Sequence, residues 1–154
     1  MPECNGDGEG LQTERTDGRR DESREGMHGM VRVLVIDDDA EIRRLLCEIL
    51  ASAGHLVADA SNGADGVEIF KKEAFDLVLT DLEMPEMSGW EVARSIKHHN
   101  PDVTIALITG WGETIDSAQL RASGISTIIN KPFRMDQIIH LAREVGAGMP
   151  SGQK

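Results

Sequence analysis

Phe75-Asp76-Leu77-Val78-Leu79-Thr80-Asp81 is a short apolar run that ends on a carboxylate, and three other stretches repeat its form. Val31–Ile36 runs into Asp37-Asp38-Asp39, Val103–Ile108 into Thr109, and Ile125–Asn130 into Lys131-Pro132. Continuous apolar runs of this length mark strands buried on both faces, as in a parallel sheet covered by helices. In an open parallel sheet the carboxyl ends of the strands converge on one crevice, where ligands bind. Carboxylates, a hydroxyl and an ammonium gathered there suit Mg2+ and a phosphoryl group.

Between these runs the apolar spacing changes to that of helices. Ile42, Leu45, Leu46, Ile49, Leu50 and Ala53 share one helical face, and Gly54 provides a stop. His55–Ala60 reads as the second strand, and Asn62 caps a helix bearing Ala64, Val67 and Phe70. Asp76–Thr80 is the third strand. Ser88 opens a helix with Val92, Ala93 and Ile96 that ends at Asn100-Pro101. Val103–Ile108 precedes a poorly amphipathic helix near Glu113–Ser123, stopped by Gly124. Ile125–Ile129 is the fifth strand, and Met135, Ile138, Ile139 and Ala142 mark the last helix. Five such units predict an α/β fold, with right-handed crossovers and helices on both faces of a parallel sheet. The expected form is the flavodoxin-like doubly wound sheet of order 2-1-3-4-5, whose switch point sets Asp37 and Asp38 beside Asp81.

The chain has 154 residues and a net charge of −11, with 27 acidic against 16 basic side chains. That length suits one domain with tails. An acidic surface argues against backbone-driven nucleic-acid binding and against docking on an anionic membrane. Residues 1–29 carry 8 acidic and 4 basic groups, with Leu11 as their one aliphatic side chain besides methionine. They read as a disordered acidic extension, followed by a domain over 30–146 and a flexible tail over 147–154. No apolar stretch approaches a membrane span and the first 30 residues lack a signal-peptide core, so the expected location is cytoplasmic. Cys4 and Cys47 are expected to be free thiols.

Each candidate site residue also has a plain structural role available to it. Asp38 can cap the first helix, with Glu41 as the return partner of a capping box. Asp81 can be a turn residue before Pro85 and Gly89. The conjunction changes the balance: three carboxylates crowded at strand ends repel one another, and a hard divalent cation relieves this. Mg2+ takes a few carboxylates and retains waters and phosphate oxygens. A carboxylate can accept a phosphoryl group as an acyl phosphate, with catalysis resting on positioning and charge neutralisation. Lys131 and the Thr109 hydroxyl are placed to hold the phosphoryl oxygens, and Pro132 allows a cis bond that aims Lys131 over the crevice.

VLVIDDD (33–39), LVLTDLEMPEMSG (77–89), ALITGWG (106–112) and IINKPF (128–133) together resemble the receiver domain of two-component response regulators, in register over roughly 31–146. The resemblance implies that Asp81 is the phospho-acceptor. It implies a Mg2+ set of Asp38 directly, Asp37 through water, Asp81 itself and the Glu83 backbone carbonyl. Thr109 and Lys131 would bind the phosphoryl group. The donor would be a phosphohistidine on a sensor histidine kinase or a histidine phosphotransfer protein. The chain departs from the family pattern at Ile128, where receivers usually carry the Tyr or Phe that follows the threonine inward.

Output to a downstream protein is expected through the face made by the fourth helix, fifth strand and fifth helix, with Thr109 as trigger. Glu83 and Trp111, two residues beyond Asp81 and Thr109, are expected to influence the lifetime of the acyl phosphate. Two alternatives stay open. Asp37-x-Asp39 resembles the nucleophile motif of Mg2+-dependent phosphatases of the haloacid dehalogenase type. A receiver-like module that binds without phosphate is the other, favoured only by Ile128.

Overall fold

A computed structural model describes residues 30–110 and 115–147. The chain alternates β1 (Arg32–Ile36), α1 (Ala40–Ser52), β2 (Leu56–Ala60), α2 (Gly63–Lys72), β3 (Leu77–Asp81), α3 (Gly89–His99), β4 (Thr104–Thr109), α4 (Ser117–Ser123), β5 (Thr127–Asn130) and α5 (Met135–Gly146). The five strands form one sheet of order β2-β1-β3-β4-β5, parallel at every pairing, as the sequence predicts. The expected extension over 1–29, Trp111, and the tail beyond Ala147 lie outside the described residues.

The strands alternate their side chains between two separate cores. Leu34, Ile36, Val78, Ile105 and Leu107 face α2 and α3, where they meet Val67, Phe70, Val92, Ala93 and Ile96. Val33, Val35, Leu77, Leu79, Ala106 and Ile108 face α1 and α5, meeting Leu46, Ile49, Leu50, Ile138 and Leu141. β3 is buried along its whole length, so it reads as an unbroken apolar run rather than as alternation. Ile128 is half-buried against the first of these cores. The edge strand β2 is the least buried, in keeping with its polar Asp59.

The helix caps follow the sequence, with one exception. Asn62 caps α2 through Asp65 N–H, and Ser88 caps α3 in a reciprocal box with Glu91. Gly124 closes α4 at φ +80°, in the left-handed region that glycine enters freely. α1 is capped not by Asp38 but by Asp39, whose carboxylate accepts from Glu41 and Ile42 N–H at 2.9 and 3.3 Å. β1 ends at Ile36 as expected, but the helix begins one residue later than the capping-box spacing suggests, so Asp38 is not engaged in capping. Where a free thiol is expected, Cys47 is disulfide-bonded; Cys4 lies outside the described residues. Among the described residues no helix is long and apolar enough to cross a membrane.

Candidate functional site

β1 and β3 are neighbours, and both end at the same edge of the sheet. β1 delivers Asp37 and Asp38 just beyond Ile36, which pairs with Thr80, while β3 ends on Asp81 itself. One carboxylate oxygen from each of Asp37, Asp38 and Asp81 lies within 4.8 Å of the others. Asp37 and Asp81 are buried, at 1 % and 6 % exposure, whereas Asp38 opens to solvent. A cation there would meet two buried acids and one wet one, leaving room for retained water and a phosphate oxygen.

Lys131 approaches from the end of β5. Its backbone N–H donates to the Thr109 carbonyl at 2.8 Å, and the following bond to Pro132 is cis. Its ammonium donates to Asp81 Oδ1 at 2.9 Å and stands 3.9 Å from Asp37 Oδ2. Burial works against this charge, but the hydrogen bond to Asp81 and the nearby Asp37 outweigh it and raise the Lys131 pKa. Lys131 is therefore a fixed positive charge on the rim of the acid group.

The acids carry the cost of this crowding. Burial, reinforced by the charge of Asp81, raises the Asp37 pKa from 3.8 to about 6, although its bond from Asp39 N–H and the charge of Lys131 act against this. Burial likewise raises Asp81, against the opposing pull of Lys131, with Asp38 and Glu83 adding repulsion. Asp37 Oδ2 is buried and accepts no hydrogen bond. An orphaned buried oxygen facing two further carboxylates is a fit for a hard divalent cation, and Asp37, Asp38 and Asp81 are the residues that would hold it.

Backbone packing fixes where Asp81 sits. Leu82 N–H donates to the Ile108 carbonyl and Gly89 N–H to the Leu82 carbonyl, both at 2.9 Å, which closes the β3–α3 loop over the strand end. A Cβ on Gly89 would lie 2.5 Å from the Asp81 carbonyl oxygen and 2.7 Å from Leu107 Cδ1. Only glycine permits this approach.

Not every expected residue joins the acid group. Thr109 is buried at the end of β4, and its hydroxyl makes a long 3.4 Å bond to the Gly110 carbonyl, with no bond to Asp81 or Lys131. Glu83 is exposed, and its influence on Asp81 is through charge. Asp39 serves α1 and stands outside the cluster, which removes the second carboxylate of the Asp37-x-Asp39 motif. Two residues go unseen in the sequence. Arg43 donates from Nη1 to the Asp37 carbonyl at 2.8 Å and from Nε to Asp59 Oδ2 at 2.9 Å. The pair is sixteen residues apart on different elements, and no motif signals it.

Residues 33–143 match the family described as Response regulator receiver domain. The chain belongs to that family. It is 36 % identical over 111 residues to the response regulator receiver protein CpdR of Brucella abortus, covering 72 % of this chain and 92 % of that protein. It is 31 % identical over 111 residues to the transcriptional regulatory protein GlrR of Escherichia coli, covering 72 % of this chain but only 25 % of the relative. A crystal structure of a response regulator receiver domain protein from Clostridium thermocellum superposes with a TM-score of 0.70 at 28 % identity. That match spans 77 % of this chain and 95 % of the other. The family assignment disfavours the phosphatase alternative, and the capping role of Asp39 gives the physical reason.

Proposed function

We propose that this receiver domain takes a phosphoryl group onto Asp81 from a phosphohistidine on a sensor histidine kinase or a histidine phosphotransfer protein. The observation that carries this is the convergence of Asp37, Asp38 and Asp81 within 4.8 Å, with the Lys131 ammonium 2.9 Å from Asp81. An Asp81 carboxylate oxygen attacks phosphorus, a P–O bond forms, the P–N bond to the donor imidazole breaks, and that imidazole takes up a proton. Bound Mg2+ supplies charge neutralisation on the phosphoryl oxygens. Asp37, Asp38 and Asp81 would hold the cation, with the Glu83 backbone carbonyl completing the protein's share. Lys131 moves its hydrogen bond from the carboxylate to a phosphoryl oxygen, and the Thr109 hydroxyl turns from Gly110 to another. Water attack on the acyl phosphate returns the free carboxylate and inorganic phosphate, and the chain performs no chemistry on other substrates. A cytoplasmic setting goes with this reading.

The signal passes to a downstream protein by contact, through the face formed by α4, β5 and α5. Thr109 is the trigger, because its hydroxyl is committed only to the long bond to Gly110. Ile128, half-buried on β5, follows by repacking rather than by the rotation of an aromatic ring. Hydrogen exchange should change across residues 115–146 on phosphorylation, and identical exchange in the two states would remove this output face. The chemistry itself is tested by intact-mass spectrometry after incubation with Mg2+ and acetyl phosphate. One labile phosphoryl adduct on wild type, absent without Mg2+ and absent from Asp81→Asn, is expected. An adduct that persists in Asp81→Asn would overturn the assignment.

A further inference from the structure

Asp38 has the weakest support of the three acids: it is exposed, and its location depends on the backbone that carries it. That backbone is held unusually well at Asp37. The Asp37 N–H donates to the Ala60 carbonyl at 3.2 Å, and its Oδ1 accepts from Asp39 N–H at 2.9 Å. The Asp37 carbonyl accepts from Arg43 Nη1 at 2.8 Å, while Arg43 Nε is held by Asp59 Oδ2 at 2.9 Å. Both partners are largely covered, at 20 % and 24 % side-chain exposure, so solvent competes little for these bonds. Asp59 sits on β2 opposite Val35 of β1, so the anchor is the sheet itself.

We infer that Arg43, oriented by Asp59, is a positioning residue for the cation carboxylates, acting through the peptide plane between Asp37 and Asp38. The peptide unit is planar, so fixing the Asp37 carbonyl oxygen also fixes the Asp38 N–H and the direction in which Asp38 leaves the strand. Without the guanidinium, that plane can rotate while Asp37 and Asp39 keep their other bonds, and Asp38 swings off the cluster. Arginine suits the task because its rigid fork presents two donors to two acceptors at once; a lysine ammonium at the same place satisfies one. The exposed neighbour Arg44 carries the same charge and serves as the control.

This inference rests on the proposed Mg2+ site, and the test separates the two. Mg2+ affinity is measured by calorimetry on the full chain, alongside melting temperature in EDTA and the acetyl phosphate labelling rate at saturating Mg2+. Arg43→Ala, Arg43→Lys and Asp59→Ala should each weaken Mg2+ binding about tenfold or more, the range for groups that orient metal ligands. Asp59→Asn keeps an acceptor for Nε and should bind within about threefold of wild type, and Arg44→Ala should be unchanged. The double variant Arg43→Ala/Asp59→Ala should bind no more weakly than Arg43→Ala alone, and saturating Mg2+ should restore the labelling rate in all of them. Wild-type Mg2+ affinity in folded Arg43→Lys and Asp59→Ala would overturn the inference and leave the site intact. An equal loss in Arg44→Ala would overturn the clamp, because deleting a cation beside an acidic site should by charge alone strengthen Mg2+ binding. Absence of Mg2+ binding by wild type would overturn the site and the inference together.

Discussion

Replacing Asp37 with asparagine should make the metal-free protein more stable. Asp37 is buried, its Oδ2 accepts no hydrogen bond, and its pKa stands near 6 rather than 3.8. A gap of about two pH units, at about 1.4 kcal/mol each, makes the ionised group cost about 3 kcal/mol at pH 7.5. An asparagine is nearly isosteric with the protonated acid. It keeps an oxygen for Asp39 N–H and offers its NH2 to the neighbouring carboxylates. The expected gain is about 2 kcal/mol or more, which is about 8 °C in melting temperature for a domain of this size. The sign follows from linkage. Below pH 3.8 both folded and unfolded chains hold the proton, and wild type and Asp37→Asn should be equally stable. Between pH 3.8 and 6 the unfolded chain releases the proton first, so wild-type stability falls as pH rises, and the penalty is complete above the folded pKa. Urea denaturation in EDTA at pH 4, 5, 6 and 7.5 reads this directly. A variant that is no more stable than wild type at pH 7.5, or a difference that does not close toward pH 4, would refute the reasoning.

Other outcomes follow from the same geometry. Because Mg2+ must displace the Asp37 proton, its affinity by calorimetry should be level above pH 6 and fall about tenfold per pH unit below it. A flat profile from pH 5 to 7.5 would exclude Asp37 from the site. Gly89→Ala brings a methyl group to 2.5 Å from the Asp81 carbonyl oxygen, and overpacking of this kind should cost about 1–3 kcal/mol in urea denaturation. Unchanged stability would show that the β3–α3 loop yields easily.

The sheet order was legible because burial on both faces leaves a strong mark. β1, β3 and β4 read as continuous apolar runs, and their ends point to Asp37, Asp81 and Thr109. What stayed hidden depends on the angle at which elements meet. Three successive aspartates offer equivalent caps, and only the exit of the chain from β1 selects Asp39 and leaves Asp38 to the site. The contact of Arg43 with Asp59 depends on how α1 lies over β2, which no local spacing encodes. The direction of the Thr109 hydroxyl and the bonding of Cys47 are equally tertiary matters.

Asp81, and neither of the acids beside it, should become the acyl phosphate. Borohydride reduces an acyl phosphate to an alcohol, converting the labelled aspartate to homoserine, which peptide mass spectrometry can place. After incubation with Mg2+ and acetyl phosphate, homoserine at position 81 alone is the expected result. Homoserine at position 37 or 38, with Asp81 unchanged, would show that an acid beyond β1 is the phospho-acceptor instead.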